Sequence, residues 1–219
     1  MPSRIYKAIL FDLDGTLLDT LQDIADSVNT VLKRHNLPTH SNEEYRYFVG
    51  EGSETLLSRA LPEDSRDKET VKALTQEYRA EYDLRWTNSS KPYPQILDLL
   101  HQLEKRDIVT AVLSNKMHSA TCQMVKALLP EHNFSYVQGA TEELPAKPDP
   151  SGAHLIAKEL KIAEKNWIYL GDTDIDMLTA KRAGMLPAGV LWGFREADEL
   201  MQNGAKILLY SPLELIAYL

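Results

Sequence analysis

The sequence predicts an α/β protein: a doubly wound, mainly parallel, Rossmann-like sheet with a helical cap domain inserted near its amino end. Short apolar segments without polar alternation recur along the chain, and such segments are typical of parallel strands buried on both faces. From residue 94 onward helical patterns separate these segments, which indicates repeated strand–helix units. Between about residues 17 and 90 only helical patterns occur, so this part interrupts the alternation.

The predicted strands are short and rich in aliphatic residues. They lie at Ile5–Phe11, Ile108–Leu113, near Tyr136–Val137, and at Trp167–Leu170, Ala188–Trp192 and Ile207–Tyr210. Apolar residues between positions 96 and 103 predict a helix before the second strand. Asp149 and Pro150 suit the N-cap and first residue of a later helix.

The inserted segment begins with an apolar stripe at helical spacing: Leu21, Ile24, Ala25, Val28 and Leu32. Thr20 and Asp23 have the spacing of a capping box at its start. We therefore predict a catalytic core of residues 1–16 and 91–219, and a helical cap of residues 17–90. An insertion directly after the first strand is expected to cover the crevice where open α/β sheets bind ligands.

Composition excludes several classes of function. The 219 residues include 24 Lys plus Arg and 32 Asp plus Glu, a net charge of −8, which argues against a general nucleic-acid or anionic-membrane binder. The single cysteine, Cys122, cannot form an internal disulfide and is expected to be packed in a helix. No apolar stretch is long enough for a membrane span. We expect a cytoplasmic protein, a monomer or homodimer.

The most informative segment is Asp12-Leu13-Asp14-Gly15-Thr16, directly after the first predicted strand. Residues i and i+2 of an extended chain point the same way, so both carboxylates can face one crevice. Adjacent carboxylates repel each other unless a cation lies between them or one is protonated. Gly15 permits a sharp turn and the close approach of a ligand. The segment therefore predicts a cation site rather than only a turn and a helix cap.

Two later segments carry groups suited to phosphate. Ser114-Asn115-Lys116 follows a predicted strand and offers a hydroxyl and backbone N–H groups, although the same residues are common in ordinary loops. Lys147 lies in Lys147-Pro148-Asp149-Pro150, where two prolines restrict the direction of its side chain. Its ammonium can neutralise a phosphate or nearby carboxylates, although most lysines are solvated surface charges.

A second acidic segment, Gly171–Asp176, follows the predicted strand Trp167–Leu170. Its three acids converge unfavourably without a cation, and Mg²⁺ binds carboxylate and water oxygens together with substrate phosphate. Acids also suit a helix N-terminus, which is a sufficient explanation for Asp174. Asp172, nearest the strand, is the better predicted ligand.

In order and position, Asp12–Thr16, Ser114, Lys147 and Gly171–Asp176 resemble the four motifs of the haloacid dehalogenase superfamily. The resemblance covers essentially the whole chain, including the cap. Further segments resemble its phosphoglycolate phosphatase-type branch: Ser114–Lys116, Lys147–Pro150, Gly171–Thr173 and Gly189–Phe194. Dehalogenases and phosphonate-cleaving members lack an acid at the position of Asp14. The resemblance thus implies a Mg²⁺-dependent phosphatase for a small phosphorylated metabolite, with 2-phosphoglycolate the best single choice.

The resemblance also implies a role for each motif residue. Asp12 would attack phosphorus and form an aspartyl-phosphate, and Asp14 would be the general acid and base. The Asp12 carboxylate, the Asp14 backbone carbonyl and Asp172 would hold Mg²⁺, while Asp176 would support its waters or orient Lys147. Ser114 and Lys147 would hold the transferring group, with Gly15, Thr16, Asn115 and Lys116 completing the phosphate site.

Three alternatives remain open from the sequence. A sugar phosphomutase or a pyrophosphatase would use the same phosphoryl-binding groups, and a non-catalytic binding module can share a fold with enzymes. Substrate selectivity is expected from the cap. Its candidates are the segment Val49–Gly52 and, for a substrate carboxylate, Arg46, Arg59 or Arg85, each of which is also compatible with a solvated surface.

Overall fold

A computed structural model describes residues 6–219, so Ile5, the first residue of the first predicted strand, lies outside the described range. The chain forms two compact units. One contains the chain up to Leu18 and from Pro92 to Leu219, and the other contains Asp19–Lys91.

Six parallel strands form the sheet of the first unit. The strands in chain order are β1 (Ala8–Phe11), β2 (Leu18–Asp19), β3 (Lys91–Pro92), β4 (Val109–Met117), β5 (Tyr136–Ala140), β6 (Trp167–Gly171), β7 (Leu186–Val190) and β8 (Ile207–Leu209). The large sheet has the order β5-β4-β1-β6-β7-β8, and β2 pairs with β3 in a separate two-stranded sheet. Every neighbouring pair in the large sheet is parallel. The predicted α/β class and mainly parallel sheet are confirmed.

Nine α-helices accompany these strands within residues 6–219. They are α1 (Leu21–Arg34), α2 (Asn42–Phe48), α3 (Ser53–Ala60), α4 (Lys68–Arg85), α5 (Ile96–Glu104), α6 (His118–Leu128), α7 (Ser151–Glu159), α8 (Asp174–Ala183) and α9 (Ala197–Gln202). The first four belong to the second unit and the other five to the first. No helix among these residues combines the length and apolar character that a membrane crossing requires.

The central strand β1 is buried along its whole length because its neighbours are also apolar. Ala8 and Leu10 pack in one core cluster with residues of β4 and β6, including Leu113 and Trp167. Such continuous apolar strands can lie only in the middle of a covered sheet. This placement puts the segment after β1 at the centre of one edge of the sheet.

Two predicted strands end two or more residues away from where the structure ends them. The strand predicted to end at Leu113 continues to Met117, which pairs with Ala140 after a register shift. The strand predicted at Ala188–Trp192 instead ends at Val190, because the chain turns and the Trp192 indole donates to the Thr16 carbonyl oxygen at 2.9 Å. Pairing and turning of this kind depend on distant residues.

The apolar stripe of α1 is buried as predicted, with Leu21 only partly so, but the predicted capping box at its start is wrong. Thr20 has helical backbone angles and its side chain makes no capping hydrogen bond. Asp23 is buried, and its Oδ2 accepts hydrogen bonds from the backbone N–H groups of Ser89 and Ser90 at 3.0 and 2.8 Å and from the Ser90 hydroxyl at 2.7 Å. The Asp23 carboxylate therefore links α1, at the beginning of the helical unit, to residues 89 and 90 at its end.

Candidate active site

The carboxyl ends of β1, β4 and β6 meet at one edge of the sheet. Asp12 follows β1 and its N–H donates to the Leu170 carbonyl oxygen of β6 at 2.9 Å. Ser114 lies near the end of β4, and Asp172 follows β6. Because β1 is hydrogen-bonded to both other strands, three segments that are distant in sequence become neighbours.

Three buried acids form a cluster at this edge. Carboxylate oxygens of Asp12, Asp172 and Asp176 all lie within 4.8 Å of one another. If all three ionise, the Lys147 ammonium among them leaves two negative charges uncompensated. Hard oxygen donors with this residual charge fit a divalent cation such as Mg²⁺.

Lys147 is held in the middle of the cluster. Its buried Nζ donates to Asp12 Oδ1 at 2.6 Å, to Asp176 Oδ1 at 2.7 Å and to the Leu113 carbonyl oxygen at 3.1 Å. Burial by itself would lower the pKa of Lys147, but the two carboxylates outweigh it and hold that pKa well above its usual value. The two carboxylates therefore favour the charged form of this lysine.

The pKa values of two acids of the cluster are raised. Burial raises the pKa of Asp12 well above its usual value; Lys147 opposes this effect, and Asp176 and Asp172 add to it. Burial and then the charge of Asp176 raise the pKa of Asp172 to about 7. Both shifts are those expected of carboxyl groups that are buried close to one another.

Asp172 is fixed by hydrogen bonds and by two glycines. Its Oδ1 accepts from the Thr16 hydroxyl at 3.0 Å, and its Oδ2 accepts from the Phe194 N–H at 2.9 Å. A Cβ on Gly15 would lie 2.2 Å from Asp172 Oδ2, and one on Gly193 would lie 2.3 Å from Asp172 Cβ. Only glycine fits at either position without displacing the carboxylate.

Both carboxylate oxygens of Asp176 accept hydrogen bonds. It is the third residue of α8, and its Oδ2 accepts from the Thr173 N–H at 3.1 Å and the Thr173 hydroxyl at 2.8 Å in a capping box. Its other oxygen, Oδ1, accepts from Lys147. Asp174 begins the same helix and lies outside the acid cluster.

The Ser114-Asn115-Lys116 segment lies in the irregular end of β4. The Asn115 amide donates to the Lys147 carbonyl oxygen at 3.0 Å, and its Oδ1 accepts from the Lys147 N–H at 2.8 Å. Lys116 Nζ donates to both Asp14 oxygens at 3.1 and 3.0 Å. The buried Ser114 hydroxyl accepts from the Lys116 N–H at 3.1 Å. These side chains thus orient other polar groups of the site.

Sequence reasoning missed the contribution of the segment after β7. The Phe194 N–H binds Asp172 and the Trp192 indole binds the backbone of Thr16. Arg195 is also buried, and it pairs with Glu199 at 3.0 Å. The run Gly189–Phe194 is visible in the sequence, but nothing in its residue types indicates that its backbone reaches an acid.

The three arginines proposed for a substrate carboxylate pair with acids of their own unit. Arg46 contacts Glu43 at 3.3 Å, and Arg59 and Arg85 contact Glu51 and Glu81, respectively. Each of these three arginines therefore has an acidic partner in the structure.

Cys122 is half-buried in α6, and burial raises the pKa of its thiol, in keeping with a packed residue.

Comparisons with known proteins agree with this geometry. The family model of haloacid dehalogenase-like hydrolases matches residues 9–190. Over 198 residues the chain is 32% identical to a phosphoglycolate phosphatase of Mannheimia succiniciproducens, covering 86% of this chain and 87% of the relative. It is 29% identical to a phosphoglycolate phosphatase of Xanthomonas campestris pv. campestris over 97% of this chain and 96% of the relative.

A solved structure extends the likeness to three dimensions. The crystal structure of a predicted phosphoglycolate phosphatase from Haemophilus somnus superimposes with a TM-score of 0.90, at 25% identity, over 98% of both chains. From the family match together with the strand-end arrangement of its acids, we conclude that this chain belongs to the haloacid dehalogenase-like hydrolases.

Proposed function

We propose that the protein is a Mg²⁺-dependent phosphatase that hydrolyses a small phosphorylated metabolite through an aspartyl-phosphate on Asp12. The observation that carries this proposal is the buried cluster of Asp12, Asp172 and Asp176 around Lys147. When its three carboxyl groups are ionised, the cluster exceeds the Lys147 charge by two negative charges, which suits a divalent cation; a phosphoryl group is the usual partner of such a cation. The relatives named phosphoglycolate phosphatase make 2-phosphoglycolate the first substrate to test.

In the first step, an Asp12 carboxylate oxygen attacks phosphorus and the bond from phosphorus to the ester oxygen breaks. Asp14 donates a proton to that leaving oxygen, so the product is an alcohol. In the second step, water attacks the aspartyl-phosphate, Asp14 takes a proton from the water, and inorganic phosphate leaves with Asp12 regenerated. The ion pair with Lys116 fixes the orientation of the Asp14 side chain.

Lys147 and the metal would stabilise charge on the transferring group. Asp12, Asp172 and the Asp14 backbone carbonyl would hold Mg²⁺, which supplies neutralisation of the phosphoryl oxygens when bound. Lys147 is preorganised by Asn115 and Asp176, so little reorganisation is needed during reaction. The Ser114 hydroxyl would complete the phosphate site, with Gly15, Thr16 and the backbone of residues 115 and 116.

We further propose that the inserted helical unit sets substrate choice. Its insertion point lies directly after the acidic motif, between Leu18 and Pro92. Gly50 and Gly52 have φ of 129° and 87°, which gives the segment Val49–Gly52 a shape that other residues adopt only with strain.

The test is phosphate release from a panel of phosphorylated metabolites, with Mg²⁺ or with EDTA. We expect Mg²⁺-dependent release that Asp12→Asn lowers by about 10³-fold or more. Asp174→Asn is the matched control, because it makes the same change outside the acid cluster and should keep most of the activity. Full activity of Asp12→Asn would refute the nucleophile. Isomerised sugar phosphate, or turnover of pyrophosphate alone, would replace the proposal with a mutase or a pyrophosphatase.

A further inference from the structure

A second concave site lies at the opposite edge of the sheet. This amino-edge cavity of about 400 Å³ is lined by Tyr6, Lys165, Lys181 and Lys206, together with Gly184, Gly204 and the segment Met185–Pro187. These residues precede or begin β1, β6, β7 and β8, which are adjacent strands in the sheet. Four separate segments therefore build it, all within the first unit.

The amino-edge cavity is separate from the acid cluster. In a parallel sheet all amino ends lie at one edge and all carboxyl ends at the other. Lys165 lies before β6 and Asp172 follows it, and a five-residue strand spans roughly 16 Å. A small ligand in the cavity would touch none of the residues proposed for catalysis.

Charge is the most distinctive property of the amino-edge cavity. Its lining includes three lysines and, within residues 6–219, no acidic side chain. None of Lys165, Lys181 and Lys206 forms an ion pair with a described residue. Both lysines of the acid-cluster edge, Lys116 and Lys147, are paired with carboxylates. In a chain of net charge −8, three exposed lysines without an ion pair therefore line one concavity and give it a local positive charge.

The shape of the cavity suits a small organic molecule. Gly184 ends α8 with φ of 72°, and a Cβ there would meet nothing within 4 Å, so the space beside it is open. Leu186 is partly exposed and adds apolar surface to the lining, whereas Met185 and Pro187 are buried. Apolar lining with a few polar groups, at this volume, is the usual composition of a ligand pocket.

We propose that the amino-edge cavity binds a small metabolite carrying a phosphate or diphosphate group, independently of the catalytic site. Lysine ammonium groups bind phosphate as point charges from several directions, and three of them match a group bearing two or more negative charges. A single carboxylate carries only one charge and would leave most of the repulsion among the lysines in place.

Titration with inorganic pyrophosphate, in EDTA and at fixed ionic strength, tests this proposal without turnover. The amide resonances of Gly184 and Gly204 report the cavity, and those of Gly171 and Gly193 report the acid-cluster edge. We expect saturable shifts at Gly184 and Gly204 with a Kd below about 1 mM. Because nothing is hydrolysed under these conditions, the outcome does not depend on the proposed phosphatase activity.

Two triple variants that lose the same charge distinguish binding in the amino-edge cavity from a general effect of net charge. Replacing Lys165, Lys181 and Lys206 with Gln should weaken binding about tenfold or more. Replacing Lys72, Lys126 and Lys158 with Gln removes the same charge from exposed helix surfaces and should leave binding unchanged. Shifts confined to Gly171 and Gly193, or equal weakening in both triple variants, would overturn the proposal. Citrate binding as tight as that of pyrophosphate would overturn the preference for phosphate.

Discussion

Replacing Gly15 with alanine is expected to damage the acid cluster as well as the fold. Gly15 has φ of 90°, a conformation that an L-residue adopts only with strain, and the new Cβ would lie 2.2 Å from Asp172 Oδ2. Asp172 can relieve this clash only by turning its carboxylate. That movement breaks its hydrogen bonds from the Thr16 hydroxyl and the Phe194 N–H.

The magnitude follows from these contacts. Backbone strain at a positive φ costs about 1–2 kcal/mol. Each hydrogen bond to an ionised group contributes about 1.5–3 kcal/mol, although part of that loss is recovered by new contacts. We therefore expect Gly15→Ala to lower the free energy of unfolding by about 3–5 kcal/mol. Displacing a catalytic group by about 1 Å costs on the order of 10²-fold in rate, so kcat/KM should fall at least that far.

Gly184→Ala is the matched control. Gly184 also has a positive φ, of 72°, but its Cβ would meet nothing within 4 Å. Only the strain remains, so we expect a loss of about 1 kcal/mol in the free energy of unfolding and an unchanged kcat/KM. The difference in unfolding free energy and in kcat/KM between the two variants therefore measures the effect of the clash with Asp172.

Urea unfolding measures the free energy of unfolding, and phosphate release measures kcat/KM. A calorimetric titration measures Mg²⁺ affinity. We expect Mg²⁺ affinity to fall about 10–100-fold in Gly15→Ala, because the orientation of a ligand is lost. If Gly15→Ala matched Gly184→Ala in stability and kept normal activity, the argument that Gly15 makes room for Asp172 would be refuted.

Further predictions follow from three features of the structure. Burial and the charge of Asp176 raise the pKa of Asp172 to about 7, so a proton must leave before Mg²⁺ binds. Calorimetry should show affinity falling by about tenfold per pH unit below 7 and levelling off above it; a flat profile would contradict this. Without metal, the folded state holds an extra proton between the usual pKa of 3.8 and about 7, so this group's contribution to the unfolding free energy should decrease as pH rises through that window. The buried Thr75 hydroxyl has no hydrogen-bond partner within the described residues, so Thr75→Val should raise the unfolding free energy by about 1 kcal/mol in urea; a loss would indicate a missed partner. Asn115→Asp removes the donor to the Lys147 carbonyl oxygen and should lower kcat about 10–100-fold with an unchanged circular dichroism spectrum, whereas wild-type kcat would exclude a positioning role.

Local patterns predicted the elements whose cause is local. The apolar segment before Asp12 had to be a buried strand, and the stripe from Leu21 to Leu32 had to bury one side of a helix. The capping box at Thr20 failed because Asp23 instead binds residues 66 and 67 positions later. A carboxylate with two possible sets of donors takes the one that tertiary structure places closer, and spacing along the chain does not contain that information.

For this protein, sequence alone determined the α/β class and the family, because these depend on apolar periodicity and short motifs. It also predicted Asp12, Asp172, Asp176 and Lys147 as site residues, and the structure brings these four side chains together. Only the tertiary structure decided which polar groups of the site pair with one another. Asn115 donates to the backbone of Lys147, 32 positions away, and Lys116 pairs with Asp14, 102 positions away. Such pairs form when parallel strands bring their ends to one edge of a sheet, and that juxtaposition results from the packing of the whole chain.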